Sequence, residues 1–203
     1  MTPREKMITA LEGGQPQGRV PHFELVFFLT MEAFGRVHPL QRNYAQWNQM
    51  SKTEQDLHLR DIVDIYVTTA RTYEHAGILY HPPSGWDHEA NLRCVEQMRE
   101  ISGMDYFICK HGDATYSIPD GNNMMAFIAR LVDEPQAVKD EADRHVEDKL
   151  ENASLWKDKG VLDGYALCSD YCFNDNPFLS PPMFDEFIAP YLTRLIAGYR
   201  ELG

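Results

Sequence analysis

The segment Ile78-Leu79-Tyr80-His81-Pro82-Pro83 decides the fold. Its first three residues suit a short buried strand, and the two prolines stop it because proline cannot donate to a ladder. Before it, Ser51–Ala76 reads as a helix: Leu57, Ile62, Ile65, Tyr66, Ala70 and Tyr73 recur near the helical period. Thr53 is the expected cap, Glu54 and Asp56 suit the first turn, and Gly77 is the expected stop. After it, Glu89–Ser102 is again helical, with Leu92, Val95, Met98 and Ile101 inward and Gly103 as stop. Asp105–Lys110 repeats the strand and halts at His111-Gly112-Asp113.

The same alternation extends both ways. Thr2–Glu12 suits a short helix, and the apolar, β-branched and aromatic run Val20–Leu29 suits a first strand. Met31–Met50 has no clean period and reads as a loop with short helical pieces. Downstream come helices over Asn122–Val132 and Pro135–Lys159, then a fourth strand over Val161–Cys168. Ser180 and Pro181 open a last helix that Pro190 is expected to kink. One helix followed by four strand–helix repeats predicts an α/β fold, with four parallel strands adjacent in chain order. No glycine-rich loop follows the first strand, so nucleotide binding has no support. The pattern fits a small doubly wound sheet or the N-terminal part of a (β/α)8 TIM barrel, a fold of about 250 residues. The 203 residues read as a single domain, 1–203. The chain closes on a helix end, Glu201-Leu202-Gly203, with no strand after it, so the barrel reading expects a missing second half.

The formal net charge of −12 argues against non-specific nucleic-acid binding, which needs clustered cations, and against anionic lipid surfaces. No apolar run is long enough to span a membrane. The four cysteines, Cys94, Cys109, Cys168 and Cys172, contain no Cys-x-x-Cys pair and are expected to stay reduced in a cytoplasmic protein.

Several segments resemble the uroporphyrinogen decarboxylase superfamily. This superfamily holds both the decarboxylase of haem biosynthesis and cobalamin-dependent methyltransferases that act on thiols. Thr2-Pro3-Arg4-Glu5-Lys6-Met7 with Arg19-Val20-Pro21 resembles its N-terminal helix and first strand. Asp133-Glu134-Pro135-Gln136-Ala137-Val138 is similar to one of its helix starts. Ser169-Asp170-Tyr171, followed by Pro177-Phe178-Leu179-Ser180-Pro181, Phe184, Phe187 and Pro190-Tyr191, resembles its fourth-strand segment. The resemblance implies a (β/α)8 barrel with its site at the C-terminal strand ends. It also implies zinc and a corrinoid for the whole protein, with the zinc ligands beyond Gly203 and no metal ligand within this chain. A corrinoid protein or small-molecule substrate is the implied partner, and a homodimer the implied assembly.

This sequence departs from the decarboxylases themselves. Their arginine-rich stretch after strand one suits a substrate bearing many carboxylates. Here that region reads Phe27-Phe28-Leu29-Thr30-Met31-Glu32-Ala33-Phe34-Gly35-Arg36, with one arginine beside an acid. Methyl transfer is therefore the first expectation, tetrapyrrole decarboxylation the second, and a non-catalytic half-barrel or split subunit the third.

On a barrel, polar residues just past each strand face the site. That rule selects His81, His111, Asp113 and Asp170 as candidate catalytic groups, and Tyr80, Trp86, Tyr116 and Tyr171 as candidate substrate contacts. The alternative for His81 is a loop histidine bonded to backbone; for His111-Gly112-Asp113 it is a plain turn. Asp170 follows an apolar run, where an unpaired carboxylate is costly, so it is expected to face a solvated pocket. Glu24, an acid inside the first apolar run, is a weaker candidate. Cys168 and Cys172 are expected to pack rather than ligate. The acids Glu141, Asp143, Glu147, Asp148 and Glu151 are expected to form a solvated helix face.

Overall fold

The computed structural model describes residues Met1–Gly203. In chain order the elements are α1 (Pro3–Leu11), α2 (Thr30–Phe34), α3 (Lys52–Thr72), β1 (Gly77–Tyr80), α4 (His88–Ser102), β2 (Phe107–His111), α5 (Met124–Asp133), α6 (Pro135–Lys157), β3 (Gly164–Ala166), α7 (Pro181–Phe187) and α8 (Ala189–Leu202). The fold is mixed α/β, with a small parallel sheet in the order β1-β2-β3. Gly77 pairs with Phe107 and Tyr80 with Lys110. No helix is long and apolar enough to cross a membrane. The chain divides into two compact units: Met1–His111 with Gly160–Gly164, and Gly112–Lys159 with Tyr165–Gly203.

Capping chemistry sets the helix starts. Thr2 and Ser51 each close a capping box, with Glu5 and Glu54 returning the bond, so Ser51 and not Thr53 caps α3. The α3 stop also differs from expectation. Glu74 takes the left-handed conformation (φ 55°), and Gly77 instead opens β1. A Cβ at Gly77 would lie 3.0 Å from the Phe107 carbonyl oxygen, so glycine lets the two strands approach.

The expected first strand does not form: Val20–Leu29 carries no strand. The Ala76 N–H donates to the His22 carbonyl at 2.6 Å, but no ladder continues. Phe23, Leu25, Phe28 and Leu29 stay 39–55% exposed. Apolar, β-branched composition suits a pleated surface but supplies no partner strand. The fourth expected strand shortens to the three residues of β3.

In the first unit, α3 and α4 pack together over β1 through fully buried Leu59, Ile62, Val63, Val95 and Met98. Ile101, expected inward, is 57% exposed. Asp163 ties this unit together. Its buried carboxylate accepts from Arg4 at 2.9 and 2.8 Å, from the Ile108 N–H at 2.8 Å, and from Arg99.

In the second unit, α6 packs against α5, α7 and α8. Val146 and Leu195 centre one apolar cluster, and Val138, Phe187 and Ile188 another. Pro190 does not kink a continuous helix. The helix breaks at Ile188 (φ −121°), and Pro190 sits in the first turn of α8, where it costs no hydrogen bond. Ser180 precedes α7 but makes no side-chain cap bond.

Candidate functional site

Candidate groups gather at the C-terminal ends of the strands, and each unit presents its own set. In the first unit three imidazoles form a chain. The rings of His81 and His111 lie 4.7 Å apart between centroids, and those of His38 and His81 6.3 Å. His81 follows β1 directly and is 5% exposed, and His111 is the last residue of β2. His81 Nε2 lies 2.6 Å from the Leu25 carbonyl oxygen, which only accepts, so Nε2 carries the proton and Nδ1 the lone pair. His38 holds the same tautomer from the other side of the ring: Nδ1 accepts from the Leu40 N–H at 3.1 Å, which places the proton on Nε2.

Burial holds His38 down to about 4, with the charges of His81 and Arg42 adding to the effect. Burial also lowers His81, opposed by its bond to Leu25 and reinforced by His111. His38 and His81 are therefore neutral near pH 7. They border a void of about 30 Å³ together with Glu24, Phe27 and His75, room for about one water.

Tyr66 fixes the backbone of His81, and the ring of Tyr66 lies 6.0 Å from that of His38. Sequence reasoning did not single out His38 or Tyr66. The signal for His38 was present: His38-Pro39 and His81-Pro82 are both His-Pro pairs, and a following proline holds the preceding residue extended.

Tyr80 and Trp86 take packing positions in this unit. Tyr80 is fully buried and donates its hydroxyl to Asn91. Trp86 stacks on Tyr44 at 5.4 Å and meets Trp47 at 4.9 Å. Glu24 is exposed. The arginines after the first apolar run are both engaged. Arg36 binds Asp61 and Asp64, and Arg42 binds Asp61 and, at 2.9 Å, the Val37 carbonyl.

The second unit opens with Gly112, where any Cβ would meet Tyr165 Cβ at 2.7 Å and Tyr199 Oη at 2.8 Å. The Tyr199 hydroxyl donates to the Gly112 carbonyl at 2.6 Å, and the rings of Tyr165 and Tyr199 stack at 4.4 Å. Next, one carboxylate oxygen of Asp113 accepts three bonds: from the Cys168 N–H at 2.8 Å, the Ser169 N–H at 2.9 Å and the Ser169 hydroxyl at 2.8 Å. Asp113 thus clamps the segment that follows β3. A second tie joins the Thr115 and Tyr171 hydroxyls at 2.5 Å, and a third runs from the Ile118 N–H to the Asp170 carbonyl at 3.1 Å. The Asp170 carboxylate itself is exposed and bonds to nothing.

Beside the clamp lies a cleft of about 620 Å³. One wall is the 113–119 loop with Phe127; the other is the α6 face carrying His145, Asp148, Lys149 and Asn152. Tyr116 is part of the loop wall. Its ring is 5.1 Å from Phe127 and 5.9 Å from His145, and its hydroxyl donates to the Val138 carbonyl at 3.1 Å. Of the eight candidate residues, the cleft brings Asp113 and Tyr116 together, with Tyr171 behind the loop. The polar face of α6, expected to be merely solvated, supplies the opposite wall.

All four cysteines are free thiols. Burial pushes the Cys94 and Cys168 thiols up, away from the thiolate form that metal ligation requires.

Comparison of the chain with protein-family models, with curated proteins and with solved structures finds no match.

Proposed function

We propose that the chain has the barrel-type architecture of the uroporphyrinogen decarboxylase superfamily and serves corrinoid-linked methyl transfer to a small-molecule thiol in a reducing cytoplasm. The parallel strands with polar groups at their C-terminal ends support this reading, since (β/α)8 enzymes place their sites there. The four free cysteines support the reducing compartment. No step is routed through zinc.

One observation carries the choice between methyl transfer and decarboxylation: the engagement of Arg36 and Arg42. A substrate with many carboxylates needs guanidinium groups free to pair bidentately. Here Asp61 and Asp64 already occupy both arginines. Asp113, the acid best placed to meet a protonated pyrrole, already spends one oxygen on three donors.

A bound methylcorrinoid would supply the methyl group to the thiol sulfur, and this chain would supply an imidazole lone pair to take up the thiol proton. His81 offers that lone pair at Nδ1, because its Nε2–H is committed to Leu25. The test incubates the protein with methylcobalamin and 2-mercaptoethanesulfonate and follows loss of the cobalt–carbon absorbance; a parallel reaction holds uroporphyrinogen. Thiol-dependent demethylation without carbon dioxide release is the expected result. Carbon dioxide release from uroporphyrinogen, or methylcobalamin that stays intact, overturns the reading.

A further inference from the structure

The cleft of the second unit carries a charge pattern that the methyl-transfer reading does not use. Asp148 and Lys149 are consecutive on α6 and both line the cleft. Neither forms a hydrogen bond or an ion pair. Three cations of this unit are paired, Arg130 with Glu141, Lys139 with Glu186 and Arg194 with Asp143, and Lys149 is the cation that lines the cleft. Asn152, one turn beyond Asp148, also faces the cleft without a partner. The opposite wall is aromatic, with Tyr116 and Phe127 held 5.1 Å apart and Phe127 stacked on Phe178 at 5.9 Å.

An anion alone would meet Asp148, and a cation alone would meet Lys149. A ligand carrying both charges satisfies both residues. Its carboxylate would accept from the Lys149 ammonium and the Asn152 amide, its ammonium would donate to Asp148, and a flat apolar body would cover Tyr116 and Phe127. About 620 Å³ is within the range of small-molecule sites and holds such a molecule with room to spare. We propose that this cleft binds a zwitterionic amino acid with a flat apolar side chain, recognised by Asp148, Lys149 and Asn152 against the Tyr116–Phe127 wall. The proposal does not rest on methyl transfer, and its readout is binding alone.

The test is calorimetric titration of the whole chain with three probes: L-tryptophan, tryptamine, which lacks the carboxylate, and indole-3-propionate, which lacks the ammonium. Tryptophan is expected to bind about three- to fivefold more tightly than either analogue, the scale of one partly exposed ion pair. Lys149→Met should bring tryptophan down to the tryptamine level, and Asp148→Asn down to the indole-3-propionate level. Both side chains lie at the surface or half-buried and hold nothing in place, so both variants should keep the parent circular dichroism. Equal affinity for the three probes, no binding of tryptophan, or tryptophan affinity that survives both substitutions overturns the proposal.

Discussion

The hydroxyl of Tyr66 closes two hydrogen bonds on one residue: it donates to the His81 carbonyl at 2.9 Å and accepts from the His81 N–H at 3.0 Å. Tyr66 is on α3 and His81 is just past β1, so this one oxygen holds a strand end to the helix that precedes it. All these atoms are buried. Tyr66→Phe therefore strands both backbone groups of His81. The expected loss is about 2–4 kcal/mol, read as a lower urea midpoint with an unchanged slope. A midpoint within experimental error of the parent contradicts the assignment.

Neutral His38 makes the fold sensitive to acid. The unfolded imidazole takes up its proton near 6.5, whereas burial in the fold holds it down to about 4. Between those values the unfolded chain binds the extra proton. This contribution to stability is therefore complete above about pH 6.5 and is lost as pH falls toward 4. His75 and His81 shift in the same direction and steepen the loss. Urea midpoints measured from pH 7.5 down to 4.5 should fall across this window, and His38→Gln should flatten the profile. Parallel profiles for parent and variant would contradict the assignment.

Asp163 is the acid whose loss should cost most. Its side chain is 6% exposed and faces Arg4, Arg99 and the Ile108 N–H. Asp163→Asn keeps the shape but leaves two guanidinium groups without their counter-charge. The expected destabilisation is about 3–5 kcal/mol by chemical denaturation.

Asp113 and Asp170 should separate cleanly. Asp113→Ala frees the Cys168 and Ser169 N–H groups and the Ser169 hydroxyl, at a cost of about 2–3 kcal/mol. Asp170→Ala removes an exposed carboxylate without a partner and should stay within about 0.5 kcal/mol of the parent. Hydrogen exchange of the 168–169 amides reads the clamp directly: faster in Asp113→Ala, unchanged in Asp170→Ala.

Thiol reactivity follows burial. Cys172 is exposed, Cys168 is half-buried, and Cys94 and Cys109 are buried. A disulfide reagent should label Cys172 first in the native protein, Cys168 more slowly, and all four thiols only in denaturant. Rapid native labelling of Cys94 would place its helix face wrongly.

Helix existence was legible because its signals are local. The spacing of Ile62, Ile65 and Tyr66 acts within a few residues of chain, and α1 and α3 appear close to the expected Thr2–Glu12 and Ser51–Ala76; the capping boxes Thr2-x-x-Glu5 and Ser51-x-x-Glu54 are equally local, although the α3 cap was expected at Thr53. The short strands at Ile78 and Ile108 were legible for a similar reason: each is an apolar run bounded by a glycine or proline stop. Val20–Leu29 has the same composition and is not a strand, because a strand exists only through the backbone that pairs with it, and the sequence of one segment says nothing of its neighbour. Asp163 looked like an ordinary residue of an apolar run, yet Arg4, Arg99 and Ile108 converge on it from three elements.

The sequence by itself determined that this protein alternates helices with short buried strands, and that its polar chemistry collects after those strands at His81, His111, Asp113 and Asp170. Only the tertiary structure decided what those groups do. It set the Nε2–H tautomer on both His81 and His38, through the Leu25 carbonyl and the Leu40 N–H, turned Asp113 into a clamp on residues 168 and 169, and left Asp170 in solvent. It also set unpaired Asp148 and Lys149 across a cleft from Tyr116. Helical period and capping are properties of neighbouring residues, whereas protonation, hydrogen-bond saturation and charge pairing depend on groups tens of residues away that only folding brings within about 3 Å.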